Sequence, residues 1–122
     1  MYKVAICGRM CSGKSFVSDY LVKNLGFTRF GFGDAVKKHC ENIFLMKYKN
    51  RKLLQTFAQA MKKIDSEVWI NYLHQKINEC DSNFILIDDL RFMNERDYLR
   101  KHQYLIIKLE INPELQNERL IK

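Results

Sequence analysis

Proline is nearly absent from this chain of 122 residues, with Pro113 the single example, and glycine occurs only five times. No repeat, linker or low-complexity segment is present. No apolar run approaches the ~20 residues that crossing a membrane requires. The four cysteines, Cys7, Cys11, Cys40 and Cys80, lack the pairing of a zinc site. His39, His74 and His102 have no carboxylate or cysteine at ligand spacing and read as surface or rim residues. The N-terminus enters directly into a strand, so no signal peptide is expected, and reduced thiols in the cytoplasm fit best (the host cytoplasm for a viral protein). Acidic residues are in deficit, 14 against 21 basic ones, for a net charge of +7. That balance suits an anionic ligand, either a nucleotide or a nucleic acid. The basic residues are scattered, at Lys37-Lys38, Lys47 to Lys52, Lys62-Lys63 and Arg96 to Lys101. No stripe interleaved with aromatics stands out, which disfavours nucleic acid.

What is present is Gly8-Arg9-Met10-Cys11-Ser12-Gly13-Lys14-Ser15. Its spacing, G-x-x-x-x-G-K-[ST], is that of the phosphate-binding P-loop. Lys3 to Cys7 reads as a buried strand before it. Ser15 to Leu25, with Phe16, Val17, Tyr20, Leu21 and Leu25 at helical spacing, reads as a helix behind it. Gly8 and Gly13 let main chain approach a phosphate closely. The loop amides and the helix N-terminus then form an anion site. Lys14 brings a point charge to the outer phosphates, and the Ser15 hydroxyl can ligate Mg²⁺. Cys11, inside the loop, reads as a solvent-facing variable position.

Gly26 is placed as the first helix's C-cap. Phe27 to Phe32 alternates as a short strand, and Asp34 is placed as the N-cap of a helix burying Val36, Cys40, Ile43 and Phe44. Residues 46–52 read as a connection. Helices follow over Leu53 to Met61 and from Asp65-Ser66-Glu67 to about Cys80, then a turn at Asp81-Ser82-Asn83. Phe84-Ile85-Leu86-Ile87 reads as a central strand buried on both faces. Met93 to Lys101 is a charged helix, Tyr104 to Ile111 a strand, and Asn112-Pro113-Glu114 a helix start. Alternating strands and helices predict an α/β fold of three layers, the P-loop NTPase fold, with a parallel sheet of about four strands flanked by helices. One domain over residues 1–122 is expected, with a helical insertion at about 34–80.

Asp88-Asp89 ends the central strand at the edge where the P-loop lies. A carboxylate there can serve Mg²⁺ beside the P-loop serine; Asp89 is assigned with Ser15 to the metal, and the choice between Asp88 and Asp89 stays open. Arg91 can reach a phosphate with its planar fork. An acidic pair capping the next helix is the plainer alternative.

Asp89-Leu90-Arg91-Phe92-Met93-Asn94-Glu95 resembles the D-x-R-F-P-N-E signature of the phage-type deoxynucleoside monophosphate kinases. Phe30 to Lys37 resembles that family's F-A-D-P-L-K stretch. Leu54 to Asp65, with Trp69 beyond, resembles L-Q-x-F-G-x-x-M-R-x-I-D followed by D-x-W. The resemblance covers nearly all the chain. It implies transfer of the γ-phosphoryl of ATP, with Mg²⁺, to a (deoxy)nucleoside 5′-monophosphate. It implies that Lys14 and Arg91 are catalytic and that Asp34, Lys37, Gln55, Lys62, Trp69, Arg91, Asn94 and Glu95 line or brace the acceptor pocket. Each has a plainer role: Trp69 as core, Lys37 and Lys62 as solvated faces, Asn94 and Glu95 as helix caps. Met93, Lys62 and Ala58 depart from the family's Pro, Arg and Gly. The chain also ends where the family continues into an arginine-bearing lid, so a truncated relative is expected, with Arg119 the candidate left there. A phosphomevalonate-type kinase and a catalytically weak nucleotide-binding remnant are the rival readings. The expected partner is a small nucleotide, no membrane is involved, and a homodimer stays open.

Overall fold

The computed structural model describes residues 2–8 and 13–110. In chain order the elements are β1 (Tyr2–Gly8), α1 (Lys14–Leu25), β2 (Thr28–Phe30), α2 (Asp34–Phe44), α3 (Arg51–Ile64), α4 (Val68–Asn78), β3 (Phe84–Ile87), α5 (Met93–Lys101) and β4 (Leu105–Leu109). The loop residues Arg9, Met10, Cys11 and Ser12, the helix expected from Asn112 and its Arg119 lie outside the described residues. Two compact units divide the chain, one of Met1–Phe30 with Ser82–Lys122 and the other of Gly31–Asp81.

The first unit is built on a sheet ordered β2-β3-β1-β4. Every pairing is parallel, with Ala5 opposite both Ile87 and Ile106, and Phe30 opposite Ile87. Parallel neighbours need crossover connections, which is why helices alternate with these strands. Ile85, Leu86 and Ile87 are wholly buried. Successive strand residues point to opposite faces, so β3 is covered on both, as its unbroken apolar run predicts. Ala5 and Ile6 do the same for β1. Each such branched side chain contributes about 2 kcal/mol by leaving water.

α1 ends on Gly26, whose φ of 72° is left-handed and whose N–H donates to the Leu21 carbonyl, the expected C-cap. Its buried side differs from expectation. Phe16, Tyr20 and Leu25 are exposed, while Ser18 is the buried residue. Val17 and Leu21 are half-buried. The helix turns a small polar residue inward because that residue has a carboxylate to meet there.

In the second unit, α2, α3 and α4 pack around Ala35, Val36 and Trp69, with Leu54, Phe57, Ala58, Met61, Val68 and Tyr72 against them. The Trp69 indole N–H donates to the Ala58 carbonyl at 3.3 Å, and its ring lies 5.8 Å from that of Phe57. α3 starts at Arg51, two residues before the expected point, because the Asn50 carboxamide caps it by accepting from Leu53 N–H at 3.1 Å. Asp34 is the first helical residue of α2, not its N-cap. Gly33 holds the cap position without a side-chain bond. Cys40 is buried as expected, but Ile43 and Phe44 are exposed, because α2 ends there and Leu45 turns left-handed at φ 53°.

Candidate phosphate-binding site

The site is assembled at the carboxyl edge of the first unit's sheet. The last described residue of β1 is Gly8, and Gly13 is the N-cap of α1, with φ 90° and ψ 10°. An L-residue is strained there whatever the space, and a Cβ on Gly13 would meet nothing within 4 Å. Glycine suits this backbone conformation, and nothing among the described residues crowds the position. Lys14 and Ser15 open the helix, Lys14 half-buried and Ser15 exposed. Val17 N–H already donates to the Gly13 carbonyl at 3.1 Å. The amides of Lys14, Ser15 and Phe16 precede that first helical bond, and such first-turn donors have no partner within their own helix. Helix N-termini with such donors are common anion sites.

Asp88 follows the last residue of β3. Its Oδ2 accepts from Ser18 Oγ and from Arg29 Nε, both at 2.8 Å. Strand register explains the meeting. Arg29 on β2 stands opposite Leu86, and Asp88 lies two residues beyond Leu86, so both side chains leave one face of the sheet as diagonal neighbours. α1 lies over that face and lowers Ser18 onto the same oxygen. The carboxylate bonded to α1 is thus that of Asp88, and it meets Ser18, one turn past Ser15. Asp89, assigned to the metal from sequence, is half-buried beside it.

Beyond Asp88 the chain turns into α5. Glu95 is buried, at 6% exposure. One of its carboxylate oxygens, Oε1, accepts from Arg91 N–H at 2.9 Å and from Phe92 N–H at 3.0 Å. Two orphan donors ahead of the helix are satisfied by one acid in its first turn. Glu95 therefore fixes the main chain that carries Arg91, whose own side chain is exposed, while Asn94 is half-buried.

The remaining acceptor candidates, Asp34, Lys37, Gln55, Lys62 and Trp69, all fall in the helical unit. Asp34 and Lys37 stand one turn apart on an exposed side of α2. Gln55 and Lys62 are seven residues apart, two turns along one side of α3, and Gln55 is exposed while Lys62 is half-buried. Trp69 is buried in the unit's core and braces it, so it presents no open face for stacking.

Ser18 and Arg29 were missed from sequence. A serine among the apolar residues of α1 and an arginine in a strand of aromatics are both odd enough to have been flagged. Their common partner emerges only from the order that sets β2 beside β3.

A family profile described as AAA domain matches residues 4–122. The chain is also similar to a protein of Acanthamoeba polyphaga mimivirus provisionally named deoxynucleotide monophosphate kinase. The two are 23% identical over an alignment 147 positions long, gaps included, that spans 90% of this chain and 74% of the viral protein.

Proposed function

Given that the chain belongs to the AAA domain family and has the α/β fold of P-loop NTPases, we propose that it transfers the γ-phosphoryl group of ATP to the 5′-phosphate of a (deoxy)nucleoside monophosphate. The observation that carries this reading is the left-handed Gly13 turn that opens α1 with Lys14 and Ser15, the helix that Ser18 ties to Asp88 at the end of β3. The R-F-x-N-E run from Arg91 to Glu95 and the name of the mimivirus protein support the choice of acceptor.

In the reaction an acceptor phosphate oxygen attacks the γ-phosphorus. The bond from that phosphorus to the bridging oxygen breaks, and ADP leaves with the electron pair. The acceptor phosphate is largely ionised at neutral pH, so no general base is needed. The protein contributes position and charge. Lys14 offsets charge on the outer phosphates, and the α1 amides hold the chain of phosphates in line. Arg91, fixed at its main chain by Glu95, offers its fork to the acceptor or transferred phosphate. Asp34, Lys37, Gln55 and Lys62 are assigned to the acceptor nucleotide on the helical unit.

Magnesium, when bound, neutralises charge between the outer phosphates. The residues here suit that hard cation, with the exposed Ser15 hydroxyl and a buried Asp88 Oδ1 that has no hydrogen-bond partner among the described residues.

A coupled assay of ADP formation with dAMP, dGMP, dCMP and dTMP as acceptors tests the reading. Wild type should turn over at least one of them, and Lys14→Ala should lose at least about a hundredfold in kcat/KM. Equal rates for the two proteins, or transfer to mevalonate phosphate but to no nucleotide, would reject it.

A further inference from the structure

Asp88 is held in an unusual way. Two donors, Ser18 Oγ and Arg29 Nε, converge on Oδ2. Oδ1 is buried and has no hydrogen-bond partner among the described residues. An arginine that served only to neutralise an aspartate has a better arrangement open to it, a fork bonded to both oxygens. Buried polar atoms are almost always paired, and an orphan is costly unless something completes it. The bare oxygen stands at the carboxyl edge of a parallel sheet, where such folds bind ligands. It belongs to the residue that ties α1, the helix opened by Lys14 and Ser15, to the end of β3.

We propose that Arg29, together with Ser18, is a positioning residue that pins Oδ2 of Asp88 so that Oδ1 is presented to the water shell of the phosphate-bound divalent cation. The proposal rests on the nucleotide-binding reading above and adds to it a residue from β2 that the P-loop motif does not contain. Magnesium retains several of its waters when bound. Those waters are donors, and a carboxylate oxygen with open lone pairs is the acceptor they require. The side chain of Arg29 is 41% exposed and that of Asp88 only 13%. Arg29 thus reaches inward from the rim to grip a carboxylate that α1 and the sheet have already enclosed.

Charge and position make opposite predictions. If Arg29 acted only as a nearby positive charge, removing it would tighten cation binding. If it orients the carboxylate, removing it loosens cation binding by about tenfold, as for other residues that orient metal ligands.

Calorimetry of ATP binding in excess Mg²⁺ and again in EDTA separates the two. Wild type should bind more tightly with the metal. Arg29→Met should lose about tenfold of that metal-dependent gain while keeping its affinity in EDTA, and Arg29→Lys should recover part of it. Asp88→Asn should lose the same gain, and the double variant should be no worse than Asp88→Asn alone. Ser18→Ala removes the other grip on the same oxygen and should shift the metal dependence in the same direction, which keeps the test decisive should Arg29→Met not fold. A tighter metal-dependent gain in Arg29→Met, an unchanged one, or equal losses with and without metal would overturn the proposal. Wild type that binds Mg·ATP but phosphorylates no nucleoside monophosphate would sink the reading of function and leave this inference standing. Wild type with no metal-dependent affinity would sink the inference itself.

Discussion

Glu95 shows how much one side chain can fix. It sits at 6% exposure with one oxygen shared between two main-chain donors at 2.9 and 3.0 Å. Glu95→Ala leaves both donors without their acceptor and should cost about 2–3 kcal/mol, read as a lower midpoint in urea unfolding. Glu95→Gln keeps an acceptor oxygen and should cost about 1 kcal/mol. Because the same bonds hold the main chain of Arg91, the alanine variant should also lower phosphoryl transfer under conditions where it is fully folded. A loss of stability with unchanged kcat would limit Glu95 to holding up the helix. Gly13 offers a contrasting test. Nothing crowds its missing Cβ, so Gly13→Ala carries only the backbone cost of φ 90°, about 1–2 kcal/mol. Either that strain remains, seen as a lower melting temperature, or the turn relaxes out of the left-handed region and ATP affinity falls. A variant unchanged in both would mean that the turn is not required.

Among the elements, the corner from α5 into β4 has a chemistry of its own. Tyr98 on α5 and Tyr104 just before β4 have ring centroids 6.4 Å apart. His102 lies against the Tyr98 ring and the Lys3 ammonium over that of Tyr104. Burial pushes the Tyr98 phenol up to about 12. Burial, and then its neighbour Tyr98, push Tyr104 higher still. A phenol whose pKa is raised by folding binds its proton more tightly in the native state. The unfolded chain therefore loses that proton first, from about pH 10, and stability falls as pH rises from there towards 12. Below pH 10 this contribution is fully present. Thermal melts from pH 8 to 11 should be level at first and then decline, and Tyr98→Phe with Tyr104→Phe should flatten the decline. An equal decline in the double variant would assign it to other groups. This corner was not legible in the sequence, where Tyr98 and Tyr104 belong to separate elements. The strand β3 was legible, because an unbroken apolar run ending in acids has few other uses in an alternating fold. So was Gly26, since a glycine closing an amphipathic run is a helix stop. The face of α1 was misread for a physical reason. Hydrophobic spacing predicts which residues should be buried, but Phe16 and Tyr20 are exposed and Ser18 is inside, because the sheet presents Asp88 there. The pairing of Arg29 with Asp88 joins residues 59 apart in the chain and depends on strand order, which one sequence does not reveal.

For the whole molecule the division into two compact units carries the consequence. The phosphate loop, Asp88 and Arg91 belong to the sheet unit, while Asp34, Lys37, Gln55 and Lys62 belong to the helical one. If donor and acceptor nucleotides are divided in the same way, each should leave its own mark on amide hydrogen exchange. The amides of Lys14, Ser15 and Phe16 precede the first helical bond of α1, so no acceptor within that helix protects them from exchange. Mg·ATP at a hundred times its Kd should slow them about a hundredfold where exchange is limited by the unbound state. A nucleoside monophosphate alone should leave them unchanged and slow exchange in α2 and α3 instead. The net charge of +7 draws either anion in, and that attraction weakens with added salt. The protection pattern is set by contact and should survive at higher salt once the ligand concentration is raised to match. Monophosphate protecting only the α1 amides would show that it competes for the phosphate loop. The helical unit would then have no part in acceptor binding, and Asp34, Lys37, Gln55 and Lys62 would revert to solvated helix faces.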